Sequence, residues 1–514
     1  MKKLVSIWRA MTGAERVVAA AAVLALASCP VFAAAALLER PGDILNPDAA
    51  FNSSQGPGKK SNKTKSTKDR TVDWPQLGYD VGRSKFLDAQ NVRPPFQRLW
   101  KYDGGELIEF PPIVVDDRLY FIDNDGLYVA LDAESGKVVW KKRLSQLNAS
   151  SPAYDDGVLY SVSLEPGQAI AVRAKDGKVL WRKDLGSRAE SSPMVVRGRM
   201  YFGDENGQFY ALRAKDGDTI WQTSLGGSVK AAPALHDGTL FVGDYGGNMN
   251  AVRASDGELL WQTPDLGTGV GSGRIYSTAA VAFGRVYAGD VDNRVYSYEE
   301  ETGEIAWTFS AGDYVYSGIA AADTGSTKPA VYFGSHDRNA YALEAQSGKP
   351  IWSESAGGQI SGPATVIGDV VYVSTFSGNS TLGFDLGSGR RVFSFDDGEY
   401  GPVVSDGEKL YLTGGSTVMA FQPFDPGDYK YKTKEGQRGV ISPPQRRKAI
   451  EFMRKRDERE GGAGNGMPSG AGGSKNGGGD GRKQSGGGAK KGAGGKSPGG
   501  GKPATKQGSE GIGP

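Results

Sequence analysis

The chain of 514 residues contains one cysteine, Cys29, and two histidines, His236 and His336. A single cysteine excludes an intramolecular disulfide and a metal cluster held by several thiolates. Each histidine stands in a turn-like segment, ALHDGTL or GSHDRNA, and both are predicted to be ordinary loop residues. A histidine metal centre and a Ser-His-Asp site are therefore not expected.

Excess charge of one sign is also lacking. The chain has 61 Lys and Arg residues against 59 Asp and Glu residues, which gives a net charge of +2. Nucleic-acid-binding proteins usually carry a strong basic excess, so the overall charge gives no support for a nucleic acid as the partner.

One long hydrophobic run is present, at residues 17–38, where 22 residues contain no charge. Such a run crosses about 30 Å of hydrocarbon as a helix. Four cations precede it: Lys2, Lys3, Arg9 and Arg16. The positive-inside rule then places residues 1–16 in the cytoplasm and the rest of the chain outside it, in the periplasm or at the cell surface.

Three fates of this segment compete: a retained signal anchor, cleavage near Ala33, or lipidation at Cys29. The run Leu26-Ala27-Ser28-Cys29 resembles a bacterial lipobox, but the nine residues after Cys29 remain apolar. We expect a retained transmembrane anchor, which attaches the protein to the membrane through its N-terminal helix.

Polar segments flank the central part of the chain. Residues 39–72 are predicted to be a polar linker, and residues 461–514 a disordered Gly/Lys-rich tail with too few apolar side chains for a core. Residues 425–460 form a basic extension, in which PPQRRKAIEFMRKRDER, at 443–459, predicts a short helix.

The central part, residues 73–424, contains a repeat marked by tryptophan. The first intervals between these tryptophans are 40, 41, 40 and 40 residues, and a glycine stands four residues before each one from Trp140 onward. A period of about 40 residues with strand-like content is typical of a β-propeller. The aromatic residues predicted to fill the seams between blades are Trp100, Trp140, Trp181, Trp221, Trp261, Trp307, Trp352 and Phe393.

Each repeat contains four short runs of β-branched, aromatic or alternating apolar residues that end in Asp-Gly or Ser-Gly turns. After Phe393 only three strands remain, whereas FQRLWKYDG supplies a fourth strand with no first three before it. The sequence therefore predicts an all-β, eight-bladed propeller whose last blade is a composite of both ends of the domain.

The pattern A-x-x-A-x-x-G-x-x-x-W, as in AVRAKDGKVLW, resembles the pyrroloquinoline-quinone-like (PQQ-like) repeat over residues 95–424. That repeat occurs in quinoprotein dehydrogenases and in BamB-like scaffolds of outer-membrane protein assembly. The resemblance implies the fold, but it allows either an enzyme or a scaffold.

For the enzyme, the resemblance implies an adjacent-cysteine disulfide, a calcium ion and an aspartate base beside the quinone. This chain has no Cys-Cys pair and no Cys-x-x-Cys-His haem motif. The turn Asp123-Asn124-Asp125-Gly126 is followed by LYVA, where a calcium loop needs further oxygen ligands, and a tight hairpin is favoured there. No metal or cofactor site is therefore predicted.

The remaining candidate is a variable set of residues, each three places before the Pro, or its equivalent, that begins an innermost strand. If the innermost strands line the axis, these side chains gather at one mouth of the channel as a binding surface or as a solvated funnel. The set is Glu109, Ala149, Glu190, Lys230, Tyr276, Tyr316, Ile360 and Glu399, joined two places earlier by Arg188, Arg274 and Tyr314.

Three functions follow as hypotheses. The first is a non-catalytic, monomeric propeller outside the cytoplasm that docks protein partners of the cell envelope, without a cofactor. The second is a PQQ-dependent alcohol or sugar dehydrogenase with calcium and an atypical site. The third is a module that binds wall polysaccharide or a small ligand.

Overall fold

The computed structural model describes residues 43–57, 71–263, 273–427, 430 and 438–461. The predicted anchor at 17–38, with Cys29, and residues 462–514 of the predicted tail lie outside these ranges. None of the helices within them is long and apolar enough to cross a membrane. Residues up to Asp457 form one compact unit; of the second, 458–514, the structure describes only the end of a helix.

Two strands come first, β1 (Phe86–Leu87) and β2 (Phe96–Asp103), and are followed by four-stranded antiparallel blades. Blade 1 consists of β3 (Ile113–Val115), β4 (Arg118–Ile122), β5 (Leu127–Asp132) and β6 (Val138–Arg143). Blade 2 consists of β7 (Ala153–Asp155), β8 (Val158–Ser163), β9 (Gln168–Arg173) and β10 (Lys178–Asp184). Blade 3 consists of β11 (Met194–Val196), β12 (Arg199–Gly203), β13 (Gln208–Arg213) and β14 (Thr219–Ser224). Blade 4 consists of β15 (Ala234–His236), β16 (Thr239–Gly243), β17 (Met249–Arg253) and β18 (Leu259–Gln262).

The next three blades repeat this order. Blade 5 consists of β19 (Ala280–Ala282), β20 (Arg285–Gly289), β21 (Arg294–Glu299) and β22 (Ile305–Ser310). Blade 6 consists of β23 (Ala320–Ala322), β24 (Ala330–Gly334), β25 (Asn339–Glu344) and β26 (Pro350–Ser355). Blade 7 consists of β27 (Thr365–Ile367), β28 (Val370–Thr375), β29 (Ser380–Asp385) and β30 (Arg391–Phe395).

Blade 8 is a composite of the two ends of the domain. Its inner strands are β31 (Val404–Ser405), β32 (Leu410–Gly414) and β33 (Thr417–Pro423), and β2 supplies the outer strand. In this pairing Trp100 lies opposite Ala420. The prediction of eight blades with a composite closing blade is confirmed. The helix expected at 443–459 is present as α1, Pro443–Gly461.

The seams explain the repeat motif residue by residue. In each blade the outer strand has an extra residue just before its Trp or Phe, and this bulge turns the ring toward the next blade. Trp181 lies opposite Ala171, the first small residue of the motif. The Nε1 of Trp140 donates to the carbonyl of Ala174, the second one, at 2.8 Å.

The motif glycine completes the seam. Gly177 has a φ of +69°, and a Cβ atom added there would lie 2.7 Å from the indole of Trp140. Each Trp is therefore held by a turn of the following blade that ends in this glycine, and its indole donates to the residue three places before the glycine, which is usually Ala. The predicted seam residues all lie at such junctions, and Phe393 packs between Tyr372 of blade 7 and Phe96 of blade 8.

The seam between blades 7 and 8 has an additional link. The Phe393 side chain, unlike an indole, has no N–H group to donate, and a short extended segment, residues 438–441, lies between the two outer strands. The amides of Ser394 and Arg438 each donate to the other residue's carbonyl at 2.9 Å, and the Phe96 amide donates to Gly439 at 2.6 Å. Part of the predicted basic extension is therefore built into the ring closure.

Residues 43–57 are not a free linker, although the sequence assigned all of 39–72 to one. They lie along blade 5, where the amide of Asn46 donates to Ala306 at 2.7 Å and Phe51 stacks on Phe283 at 5.5 Å. This segment covers the outer strand, so that Trp307 is completely buried. Apolar residues within a polar composition, such as Phe51, provide the packing.

The start of the domain closes one end of the channel. Residues 72–87 pass around the inside of the ring and bond to the innermost strands of blades 8, 1, 2, 4, 5, 6 and 7 in turn. For example, the Pro75 carbonyl accepts from Tyr154, and the Ser84 carbonyl accepts from Ala321 at 2.9 Å. We call residues 72–87 the plug. The sequence placed the domain start at residue 73 but did not indicate this path.

Two cations are buried in the plug. The Arg83 guanidinium donates to the Pro233 carbonyl at 2.8 Å, and the Lys85 ammonium donates to the carbonyls of Arg83 and Ile319, both at 2.8 Å. Burial lowers the pKa of Arg83 to about 9 and lowers that of Lys85 well below its usual value. Carbonyl oxygens replace the water lost by these charges, and they tie the plug to several blades.

Candidate functional site

The mouth of the channel is formed by the residues that lead into the innermost strands and by the turn between the second and third strands of each blade. Backbone hydrogen bonds join the two sets. The Tyr245 amide donates to the Ser228 carbonyl, and the His336 amide donates to the Tyr314 carbonyl, both at 2.9 Å. Each of these turns therefore lies beside the connection that leads into its own blade.

One half of the mouth is ionic. Lys230 lies 3.0 Å from Glu190 and 3.1 Å from Glu205, and Arg188 lies 3.8 Å from Glu205. The Glu190 and Lys230 side chains are only 11% and 22% exposed, whereas Arg188 is 46% exposed. The sequence predicted three of these four residues for the mouth. Glu205 comes from a turn and was not predicted.

In this half, burial and ion pairing shift the pKa values of the charged side chains in opposite directions. Burial raises the pKa of Glu190 although the Lys230 charge lowers it. For Lys230, burial lowers the pKa, but the charges of Glu190 and Glu205 outweigh it and raise the pKa above its usual value. Lys230 is therefore held as a cation between two carboxylates.

The other half is aromatic. Six rings follow one another with centroids 5.1–6.2 Å apart, the spacing of interacting aromatic side chains. In order they are Tyr245, Tyr276, Tyr316, His336, Phe376 and Tyr400. Tyr314 lies at the rim, 39% exposed, with its ring 6.0 Å from that of Tyr316.

Tyr245 joins the two halves. Lys230 Nζ lies 5.3 Å from its ring centroid and the Arg274 guanidinium lies 5.7 Å from it, both within cation–π range. Burial and the nearby Glu190 charge raise the pKa of the Tyr245 hydroxyl. Two of the three cations predicted for the mouth, Lys230 and Arg274, therefore meet at one ring.

Beneath the aromatic half the channel narrows to a cavity of about 80 Å³. Glu109, Tyr276, Tyr316 and Tyr400 line it, and Leu77 of the plug also contributes to its wall. Burial raises the pKa of Glu109, and the amide of Asn124, 3.4 Å away, lowers it only in part.

In blades 7 and 8 the residue at the cavity is one position later than predicted. Ser361 and Tyr400 line it, whereas Ile360 is completely buried and Glu399 lies beside Gly415. A Cβ atom at Gly362 would lie 1.9 Å from the Tyr400 carbonyl oxygen, so the connection into blade 8 passes directly over this glycine. Counting back from the following proline missed this shift.

The largest omission of the sequence reasoning is the second residue of each turn after the second strand. Glu205, Tyr245 and His336 occupy this position, and Phe376 directly follows the longer second strand of blade 7. His336 is not an ordinary loop residue: its Nε2 lies 3.0 Å from Ser361 Oγ, and burial lowers its pKa. This position could have been recognised in the segments GDENG, GDYGG and GSHDR, where the residue after Asp or Ser varies from blade to blade.

This architecture has relatives. Residues 97–166, 146–291 and 291–458 match the sequence model of a family described as outer membrane protein assembly factor BamB. The chain belongs to this family of PQQ-like β-propellers. No curated protein was found to match the chain.

Solved structures share the BamB-like fold. The BamB structure from Moraxella catarrhalis is 17% identical with a TM-score of 0.53, covering 64% of this chain and 99% of that one. Quinohemoprotein alcohol dehydrogenase from Comamonas testosteroni is 15% identical with a TM-score of 0.57, covering 71% and 83%. A europium-containing methanol dehydrogenase is 12% identical with a TM-score of 0.58, covering 68% and 98%. At these identities the likeness concerns the fold.

The quinone of the dehydrogenases is a poor fit to the mouth of this BamB-like chain. Pockets for small molecules usually enclose about 300–1,000 Å³, whereas this cavity has about 80 Å³ and borders the plug. In the described ranges, no three His, Cys, Asp or Glu side chains converge as ligands for a metal ion. This cavity is smaller than the pockets that usually hold a molecule of the quinone's size.

Proposed function

We propose that this BamB-like propeller is a non-catalytic, membrane-anchored docking module outside the cytoplasm, and that its mouth binds a protein of the cell envelope. One observation carries the proposal: an ionic half and an aromatic half face each other over a channel whose other end is closed by the plug. Aromatic residues are enriched at the centres of protein interfaces, and polar and charged residues form the rim around them.

The closed channel favours docking over transport or catalysis. The plug bonds to the innermost strands of seven blades, so its removal from the channel would require many hydrogen bonds to break together. A partner approaching from the mouth meets a shallow concave surface with charged groups on one side and rings on the other. Such a surface suits a loop or a chain terminus of a partner.

The proposed membrane anchor at 17–38 would determine where in the cell the docking takes place. A retained helix holds the propeller near the outer face of the membrane, where envelope proteins emerge. Lipidation at Cys29 would give the same placement through a different attachment, and cleavage near Ala33 would release the domain.

The test is site-specific photocrosslinking in cells with a benzoylphenylalanine residue in place of Tyr314 at the rim. We expect one recurrent crosslinked envelope protein, and we expect loss of that product when Lys230→Ala and Tyr316→Ala are added. The matched control places the crosslinker at the exposed Lys215 on an outer turn. A rim position that crosslinks no more than the control, or a product unaffected by the two substitutions, would contradict docking at the mouth.

A PQQ-dependent dehydrogenase is the second candidate, supported by the fold shared with quinoprotein dehydrogenases. Spectral titration of the purified chain with the quinone and calcium tests it. Saturable binding together with oxidation of an alcohol or sugar would favour this second function over docking.

A further inference from the structure

The cavity below the aromatic half has the composition of a cage for a cation. Tyr276 and Tyr316 form two of its walls, with ring centroids 5.3 Å apart and ring planes at 72°. Tyr400 and Phe110 add further ring surface. Rings that meet nearly at right angles form a corner, and a cation near an aromatic face within about 6 Å is attracted by the ring quadrupole.

The carboxylate of Glu109 lies in the same cavity without a cationic partner. Among the residues that the structure describes, its side chain has one hydrogen-bond partner, Asn124 at 3.4 Å, and forms no ion pair. Glu190, in the ionic half, lies 3.0 Å from Lys230. Glu109 is therefore a half-buried acid that receives one long hydrogen bond from a neutral amide, and a bound cation would supply the missing opposite charge.

Rings of the same mouth already accept cations from the chain itself. Lys230 lies 5.3 Å from the Tyr245 centroid and Arg274 lies 5.7 Å from it. Tyr276 and Tyr316 are the next two rings of the arc. In the described residues no Lys or Arg is placed over either of them at a comparable distance.

The size of the cavity and its apolar wall limit the kind of ligand that it can hold. A volume of about 80 Å³ holds roughly three water-sized groups, which is enough for an ammonium group and the first carbons attached to it. Leu77, Pro363 and Pro402 supply an apolar surface for such an alkyl chain.

We propose that Glu109, Tyr276, Tyr316 and Tyr400 form a cage for a primary alkylammonium group, supplied by a lysine side chain or an amino terminus of a partner polypeptide. This inference rests on the proposed docking function and names the chemistry that the partner presents. The ammonium forms an ion pair with Glu109 while its methylene groups contact the rings and prolines.

The experiment is calorimetric titration of the full chain in detergent with n-butylammonium chloride at constant ionic strength. We expect saturable binding that Glu109→Gln weakens by about tenfold or more, since a bond to a charged group is lost. Glu399→Gln is the matched control, because Glu399 is a mouth-side glutamate outside the cavity, and it should change the affinity by less than about twofold. Tyr316→Phe should retain binding and Tyr316→Leu should lose it.

Two further sets of titrations test which chemical group binds in the cavity and which kind of molecule supplies it. n-Butanol, the neutral analogue, should neither bind comparably nor compete. A capped peptide with one lysine should bind at least as tightly as n-butylammonium, and its N-acetyl-lysine counterpart should not bind. Binding of the free amine without binding of the lysine peptide would overturn a lysine side chain as the source, and failure of an uncapped peptide without lysine as well would overturn a polypeptide.

The cage is overturned if n-butylammonium does not bind, if Glu109→Gln binds like the parent, or if Glu399→Gln is weakened equally. If Tyr316→Leu fails to fold, Glu109→Gln and Tyr316→Phe still decide the question. These failures are separable from failure of docking. Rim crosslinking that persists in Glu109→Gln would leave the partner in place without the cage, whereas amine binding without any crosslinked partner would support the cage and contradict docking.

Discussion

The indole Nε1 of Trp307 donates to the carbonyl of Ala345 in the following blade at 2.9 Å, and Gly348 of the same turn lies against the ring face. The tryptophan and glycine of the repeat are therefore two parts of one contact between blades. This contact recurs around the ring with a change of acceptor, for example Glu300 for Trp261. It makes the stability of each blade depend on its neighbour.

Replacing Trp307 by alanine is expected to reduce the free energy of unfolding by about 3–5 kcal/mol, because a completely buried indole leaves a cavity. Trp181→Ala should cost less, since Trp181 is only partly buried. Trp307→Phe should retain most of the packing and lose the hydrogen bond, at about 1 kcal/mol. Chemical denaturation of the three variants measures this order, and equal losses for Trp307→Ala and Trp181→Ala would contradict it.

Gly348→Ala should be destabilising by more than about 1 kcal/mol, because it places a side chain in a left-handed backbone and against an indole. Its φ is +68°, and the added Cβ would lie 2.7 Å from Trp307. Gly157→Ala is the matched control, with a φ of +80° and nothing within 4 Å. The difference between the two isolates the seam contact. Identical thermal shifts would mean that the glycine serves only the backbone.

Most of the ring could be predicted from the sequence, because its information is local and repeated. The spacing of Trp, the Gly four residues before it and the strand-like runs between them fix the strand order, and FQRLWKYDG fixes the closing strand. The plug could not be predicted, because residues 72–87 make single, unrepeated contacts with seven blades. No periodic pattern accompanies a segment that crosses the repeat rather than belonging to it.

The mouth could be predicted in part. Glu190, Lys230, Tyr276 and Tyr316 follow the regular register, and the structure brings them together. Tyr400 departs from that register because the connection passes over Gly362, a close approach that spacing alone does not reveal. Tyr245, His336 and Phe376 follow the second strands of their blades, outside the predicted register, and complete the row of rings.

Removal of residues 71–92 should abolish cooperative unfolding, because the innermost strands of seven blades lose hydrogen-bond partners and the buried cations lose their sites. Removal of residues 43–57 is the matched deletion, because it uncovers blade 5 alone. We expect that second variant to unfold in one transition at a moderately lower temperature. Calorimetry distinguishes them, and a single sharp transition in both would contradict a ring-wide role for the plug.

The proposed anchor predicts that protease added to intact cells or spheroplasts degrades the propeller while residues 1–16 stay protected. A tag at each terminus shows which end of the chain the protease has reached, and a cytoplasmic protein serves as the control for lysis. A protected propeller would contradict the orientation. Incorporation of a labelled lipid precursor that depends on Cys29 would replace the helix anchor with a lipoprotein.

Keeping the Glu109 carboxyl group ionised in the mouth reduces the stability of the folded protein. Burial raises its pKa above the ordinary value of 4.5, so its ionised form is less stable in the folded protein than in the unfolded chain. Its contribution to stability is fully present below pH 4.5 and is lost as the pH rises through the raised pKa. Glu109→Gln imitates the protonated acid.

We therefore expect Glu109→Gln to be more stable than the parent at neutral pH and equal to it below pH 4.5. Denaturant titrations of both proteins across this range measure the difference. A saturating alkylammonium ligand should narrow the gap at neutral pH, because it pairs with the ionised carboxylate of the parent and has no such partner in the variant. A variant that is less stable than the parent at neutral pH would show that the Glu109 carboxylate is already compensated, which would remove the electrostatic reason for a cation in the cage.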